Sequence, residues 1–235
     1  TVRRVGETSV WYLYSREAAA HIHAFAPEAR IVVMLRDPVE MVYSNHSQLL
    51  FNGDEELADF AEALDAEAGR KQGLRLPREL RCPPQLLFYR ETVRYAEQLE
   101  RYWALFGRSR VHVILYDDLA ADPARVLREV CVFLDVREDV NVALNLANPN
   151  KRLRSKALTW LLRHPSHWAL RPFKMLAPQP LRRALAARLW GWNIQVQRRQ
   201  PLHPDLRRRL CEEFRPEVKR LAELLGRDLS CWSRA

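Results

Sequence analysis

Residues 31–44 read Ile31-Val32-Val33-Met34-Leu35-Arg36-Asp37-Pro38-Val39-Glu40-Met41-Val42-Tyr43-Ser44. The first five form a continuous apolar run, rich in β-branched side chains and too short for a helix. That pattern predicts a strand covered on both faces, as in a parallel α/β sheet. Asp37 is a natural N-cap, Pro38 suits the first helical position, and Glu40 three residues on completes a capping-box pattern. A helix is therefore expected from Asp37 or Pro38. Its free amides and the positive end of its dipole favour an anion, and Arg36 stands where a charged fork can grip one. The spacing points to a phosphate site, although a strand, an arginine and a capped helix also occur for structural reasons alone.

An arginine followed by Asp-Pro, with a serine eight residues after it, resembles the 3′-phosphate-binding segment of sulfotransferases that use 3′-phosphoadenosine 5′-phosphosulfate (PAPS). The resemblance implies that Arg36 and Ser44 hold the 3′-phosphate. Many members place an arginine where this chain has Met41. Upstream, Gly6-Glu7-Thr8-Ser9-Val10-Trp11-Tyr12 resembles the Gly-Glu-x-Ser-x-x-Tyr segment of carbohydrate O-sulfotransferases and their bacterial relatives. There the glutamate is the proposed base for the acceptor hydroxyl, which makes Glu7 the expected catalytic residue. The frequent lysine after it is Thr8 here.

Other stretches fit the same family. Val111 to Tyr116, with a helix opened by Asp122 and Pro123, resembles its later strand-helix unit. Leu224 to Trp232 resembles its closing segment, and Asn148 to Ser155 its basic loop, so that Lys151 and Arg154 become candidate nucleotide contacts. The family also opens with a first strand and a Lys-x-Gly-Thr loop that cradles the 5′-phosphosulfate. No such segment occurs among these 235 residues, which begin at Thr1. The expectation is a P-loop-NTPase-like parallel sheet with flanking helices, its first strand and phosphate loop missing, followed by a helical C-terminal extension. A non-catalytic relative is the alternative.

The length suits a single domain over 1–235: an α/β core over 1–150, a basic lid or helical region over 151–204 and a C-terminal helix over 205–235. The four cysteines form no CxxC pair and have no histidine close by, which argues against zinc or a disulfide framework and favours a reducing cytoplasm. No apolar stretch approaches a membrane span. Charge is uneven. Residues 151–235 hold 20 Lys or Arg against 6 Asp or Glu, and no acid stands between Lys151 and Pro204. Such a tract fits a lid over the anionic nucleotide, an acidic acceptor, peripheral contact with an anionic membrane, or nucleic acid. Equally, Leu181, Leu185, Ala186 and Leu189 have the spacing of a core-packed helix with a solvated basic face.

Elsewhere, helices are expected from Ser15 to Phe25, from Asp54 to Gly73 and from Gln85 to Phe106, with a Pro- and Arg-rich loop over 74–84. His21 and His23 do not share a helix face and are expected at the surface. Tyr43 and His46 flank the phosphate serine, His46 either lining the pocket or packing. The function expected is sulfuryl transfer from PAPS to a hydroxyl acceptor, a glycan by resemblance, without a metal. The alternatives are a non-catalytic basic module for acidic glycan or nucleic acid, and a nucleotide kinase on a related sheet, which needs a Walker-type loop and magnesium carboxylates.

Overall fold

A computed structural model describes residues 4–137, 151–163, 179–196 and 199–234. Helix α1 (Ala18–Phe25) leads into strand β1 (Ile31–Leu35) and helix α2 (Pro38–Asn52). Short helices α3 (Phe60–Asp65), α4 (Glu67–Lys71) and α5 (Tyr89–Thr92) precede α6 (Tyr95–Phe106). Strand β2 (Val111–Leu115) then runs into α7 (Tyr116–Ala121) and α8 (Pro123–Leu134). After these come β3 (Lys151–Leu153), α9 (Lys156–Arg163), α10 (Gln179–Asn193), β4 (Ile194–Val196) and the long α11 (Pro204–Leu225).

β1 and β2 pair in parallel, Ile31 opposite Val111 and Leu35 opposite Leu115. β3 and β4 form a separate antiparallel pair. The parallel pairing agrees with the apolar run, but coverage of both faces does not hold among the described residues. Val33 and Leu35 are buried, whereas Val32 is 40% and Met34 51% exposed. The buried face meets Val39 and Val42 of α2, Leu99 of α6 and Leu210 and Leu221 of α11. Truncating a fully buried leucine in such a core costs about 2–5 kcal/mol.

Two expected helices are interrupted. Asp54 to Gly73 is helical only in α3 and α4, because Asp59 caps Glu62 at 2.9 Å while Glu55 turns its carboxylate inward onto the amides of Glu56 and Leu57. Gln85 to Phe106 becomes a 3-10 turn (Pro84–Leu87), then α5 and α6. Here Gln98 Nε2 donates to the carbonyls of Glu91 and Thr92 and satisfies the break between α5 and α6. The interruption aims Tyr89 at Glu55, its hydroxyl donating at 2.7 Å. His23 packs edge-on against Phe106 rather than lying free at the surface, and His46 packs between Phe60 and Tyr89, bonded to the Leu57 carbonyl.

Candidate functional site

Helix α2 begins where sequence logic places it. Asp37 Oδ1 accepts from the Val39 amide at 2.8 Å, Pro38 occupies the first turn, and Gly53 closes the helix at φ 74°. The capping box is only half formed, because the Glu40 carboxylate is drawn outward to two arginines. Arg36 approaches it at 3.4 Å and Arg207 of α11 at 2.7 Å; Arg207 also lies 3.6 Å from Asp37. Burial pushes the Asp37 carboxyl up, opposed by the Val39 amide and Arg207.

Arg36 leaves β1 and lays its guanidinium over the ring of Tyr116, 4.8 Å from the centroid. Tyr116 opens α7 rather than ending the strand, so the end of β2 supplies this platform. The neighbouring carboxylates are anchored from the C-terminus: Trp232 Nε1 donates to Asp117 at 2.5 Å, and Arg227 forms a two-pronged pair with Asp118 at 3.1 Å. Arg36, Asp37, Glu40, Tyr116, Asp117, Cys231 and Trp232 thus line one cavity of about 370 Å³.

Ser44 lies two turns into α2. Its Oγ accepts from an Arg199 guanidinium nitrogen at 2.8 Å, and that guanidinium lies 5.2 Å from the Tyr43 ring centroid. Tyr43 in turn donates to the Gln200 carbonyl at 3.0 Å. Arg199 was missed by sequence reasoning, since one arginine in a long basic tract carries no distinguishing signal. Burial, and then the like charge of Arg36, lower its affinity for a proton. Its buried Nε has no hydrogen-bond partner among the described residues. A desolvated guanidinium with an orphan donor, facing a second arginine and a serine hydroxyl, is the chemistry of an anion site. These residues fit a phosphate.

Glu7 is held elsewhere. Its exposed carboxylate accepts from the Tyr12 hydroxyl, and the Tyr12 carbonyl accepts from Tyr102 of α6 at 2.8 Å. That bond to Glu7, with some burial, raises the Tyr12 pKa and keeps the phenol a donor. Arg154 is exposed, its guanidinium 5.4 Å from the Trp192 ring, while its amide donates to the Asn193 carbonyl. Lys151 opens β3, which packs on α2; its side chain, like Asn148 to Asn150 of the basic loop, lies outside the described residues. Met41, in place of the family's frequent arginine, packs on the core.

A parallel strand that delivers an arginine to a capped helix, joined by a second arginine and a serine, gives an α/β protein with a candidate phosphate site. The sulfotransferase family model matches residues 9–139, and the chain belongs to that family. Arg36 and Ser44 fall inside the match; Glu7, Arg154 and Arg199 fall outside it. The human bifunctional heparan sulfate N-deacetylase/N-sulfotransferase 3 is 30% identical over 137 residues, covering 57% of this chain and 15% of that protein. Mouse carbohydrate sulfotransferase 15 is 27% identical over 173 residues, covering 68% and 28%. The chain therefore spans less than a third of these relatives. A sulfotransferase from Alicyclobacillus acidocaldarius superposes with a TM-score of 0.66 at 30% identity, over 99% of this chain and 68% of its own. Family membership displaces the nucleotide-kinase alternative. Among the described residues, no His, Cys, Asp or Glu cluster is placed to hold a metal, and no helix is long and apolar enough to cross a membrane.

Proposed function

We propose that this protein transfers a sulfuryl group from PAPS to a carbohydrate hydroxyl. The observation that carries the reading is the Arg199 guanidinium, which donates to Ser44, feels the charge of Arg36 and keeps a buried Nε unpaired. These three would hold the 3′-phosphate and fix the nucleotide without taking part in the chemistry. PAPS supplies the sulfuryl group and an adenosine bisphosphate leaving group. Glu7 takes the proton as the acceptor oxygen forms its bond to sulfur and the bond from sulfur to the phosphate oxygen breaks. Tyr12 holds the Glu7 carboxylate by its hydroxyl and orients it.

The 5′-phosphosulfate needs amides and a cation beyond those described. We assign these to a further strand and phosphate loop seated on the edge of β1 that has no strand partner among the described residues, near the exposed Val32 and Met34. Lys151 and Arg154 add positive charge on the β3–β4 lid. The same acid-free tract, with exposed Arg183 and Arg188, suits contact with an acidic polymer or an anionic membrane surface. A reducing cytoplasm remains our assignment on cysteine usage; Cys82, Cys131, Cys211 and Cys231 are unpaired thiols.

Calorimetric titration of adenosine 3′,5′-bisphosphate against 5′-AMP tests the nucleotide site. Selectivity for the 3′-phosphate that vanishes in Arg36→Ala supports the reading, and equal or absent binding refutes it. Glu7→Gln should lower turnover about a hundredfold to ten-thousandfold, the usual worth of a general base, with bisphosphate affinity unchanged. Turnover within a few-fold of wild type would remove Glu7 from the mechanism.

A further inference from the structure

A second cavity is larger than the one around Arg36. It measures about 490 Å³ and opens between the turn at residues 10–14, the segment around Pro83 to Leu86 and the flank of α6. That volume falls within the roughly 300–1,000 Å³ of small-molecule sites. Its walls are fixed in advance. The Tyr14 hydroxyl donates to the Gln85 carbonyl at 3.1 Å, and Arg101 donates to the carbonyls of Leu13 and Tyr14, each at 3.2 Å.

Charge within the walls is largely consumed. Glu91 pairs with Lys71 at 2.8 Å, and Glu97 pairs with Arg94 at 3.2 Å and Arg101 at 3.3 Å. What remains is a different set. Among the described residues, the side chains of Trp11, Arg16, Glu17 and Gln85 make no hydrogen bond or ion pair, and all four line the cavity. One aromatic face, one amide, one carboxylate and one guanidinium suit a sugar ring: its C–H face packs on the indole and its hydroxyls find donors and acceptors. With one free charge of each sign, the set does not select for an anion.

The cavity also stands in the right place. Trp11 adjoins Tyr12, whose hydroxyl holds Glu7. On the opposite wall, the Leu86 carbonyl accepts from Asn45 at 3.0 Å, and Asn45 follows Ser44 on α2. One wall is thus tied to the proposed base and the other to the proposed nucleotide helix. We propose that this cavity is an acceptor subsite that seats a neutral hexopyranose ring on Trp11, read by Arg16, Glu17 and Gln85. The proposal rests on the sulfotransferase reading and adds the position and charge class of the sugar it takes.

The test is saturation-transfer NMR on the full-length protein saturated with adenosine 3′,5′-bisphosphate. The probes are cellotetraose, chitotetraose and mannotetraose, with a heparin tetrasaccharide as the anionic comparison. At least one neutral probe should receive saturation, little changed between roughly 50 and 500 mM salt because no ion pair with the ligand is formed. Trp11→Ala should weaken it about fivefold or more, the usual cost of truncating an aromatic anchor. Gln85→Trp, which fills the mouth from an exposed position, should do the same, and Trp11→Phe should restore part of the signal. Bisphosphate affinity in each variant reports an intact fold, and Gln85→Trp keeps the test decisive if Trp11→Ala unfolds. The proposal is overturned by transfer to none of the neutral probes, by transfer that survives both variants, or by salt-sensitive binding of the heparin fragment alone. Loss of 3′-phosphate selectivity in the wild type would instead refute the sulfotransferase reading, and is seen separately in the bisphosphate titration.

Discussion

Two clusters of arginine in this molecule make opposite use of the same side chain. Arg70 is fully buried, and its guanidinium meets both Glu55 oxygens, at 2.7 and 2.8 Å, while Tyr89 donates to the same carboxylate. Burial alone would raise the Glu55 pKa, but Arg70, the Leu57 amide and Tyr89 outweigh it and hold the carboxyl below its ordinary value. Arg199 is also largely removed from water, yet it faces Arg36 and a hydroxyl, and its Nε donates to nothing. The first cluster is complete as it stands. The second leaves a buried donor unpaired among the described residues. The contrast separates an arginine paired within the fold from one whose unpaired donor suits the proposed anion, which buried charge alone does not reveal.

The largest expected effect falls on the complete cluster. Arg70→Met leaves Glu55 buried without its partner and should cost about 3–5 kcal/mol in urea unfolding. The double change Arg70→Met with Glu55→Gln should cost clearly less than the single one; an equal or larger loss would show that packing, not charge, dominates there. A depressed carboxyl stabilises the fold at pH values above its unfolded pKa, about 4.3, and that contribution is lost as pH falls through the lower folded value. The wild type should therefore lose stability below about pH 4, and the double variant less steeply, as followed by circular dichroism against pH.

Next come the two arginines of the open cluster. Arg36→Ala and Arg199→Ala should each weaken adenosine 3′,5′-bisphosphate by about 1.5–3 kcal/mol, the range for hydrogen bonds to a charged group. In contrast to Arg70→Met, Arg199→Ala should leave the ligand-free melting temperature unchanged or higher, because it removes a desolvated charge beside a like one. A marked fall would place Arg199 with the structural arginines and break the comparison. The smallest effect is at Ser44, where alanine should cost about 0.5–1.5 kcal/mol of the same affinity, read by the same titration.

What was legible in the sequence follows from how local its causes are. β1, the Asp37 cap and Pro38 depend on neighbours within a few residues, and the structure has each of them. The interruption at Phe88 to Arg94 was not legible, since it serves a bond between Tyr89 and Glu55, 34 residues apart. The two-faced burial of β1 failed for a related reason: an apolar run states that cover is wanted, not which part of a chain provides it. At the candidate site, Arg36 and Ser44 were marked by the resemblance of one local segment to the family's phosphate-binding motif. Arg199 was hidden because its partner lies 155 residues away, and only folding sets it apart from the arginines around it.

That separation has a bearing on how the protein is made. A ribosome adds Arg199 roughly 10–30 s after Ser44 at ordinary elongation rates of about 5–20 residues per second. Through that interval the nascent chain carries Arg36 and Ser44 without Arg199, the partner of the Ser44 hydroxyl. At the proposed nucleotide site, adenosine 3′,5′-bisphosphate should therefore bind in full only once residue 199 has been made and has folded back onto α2.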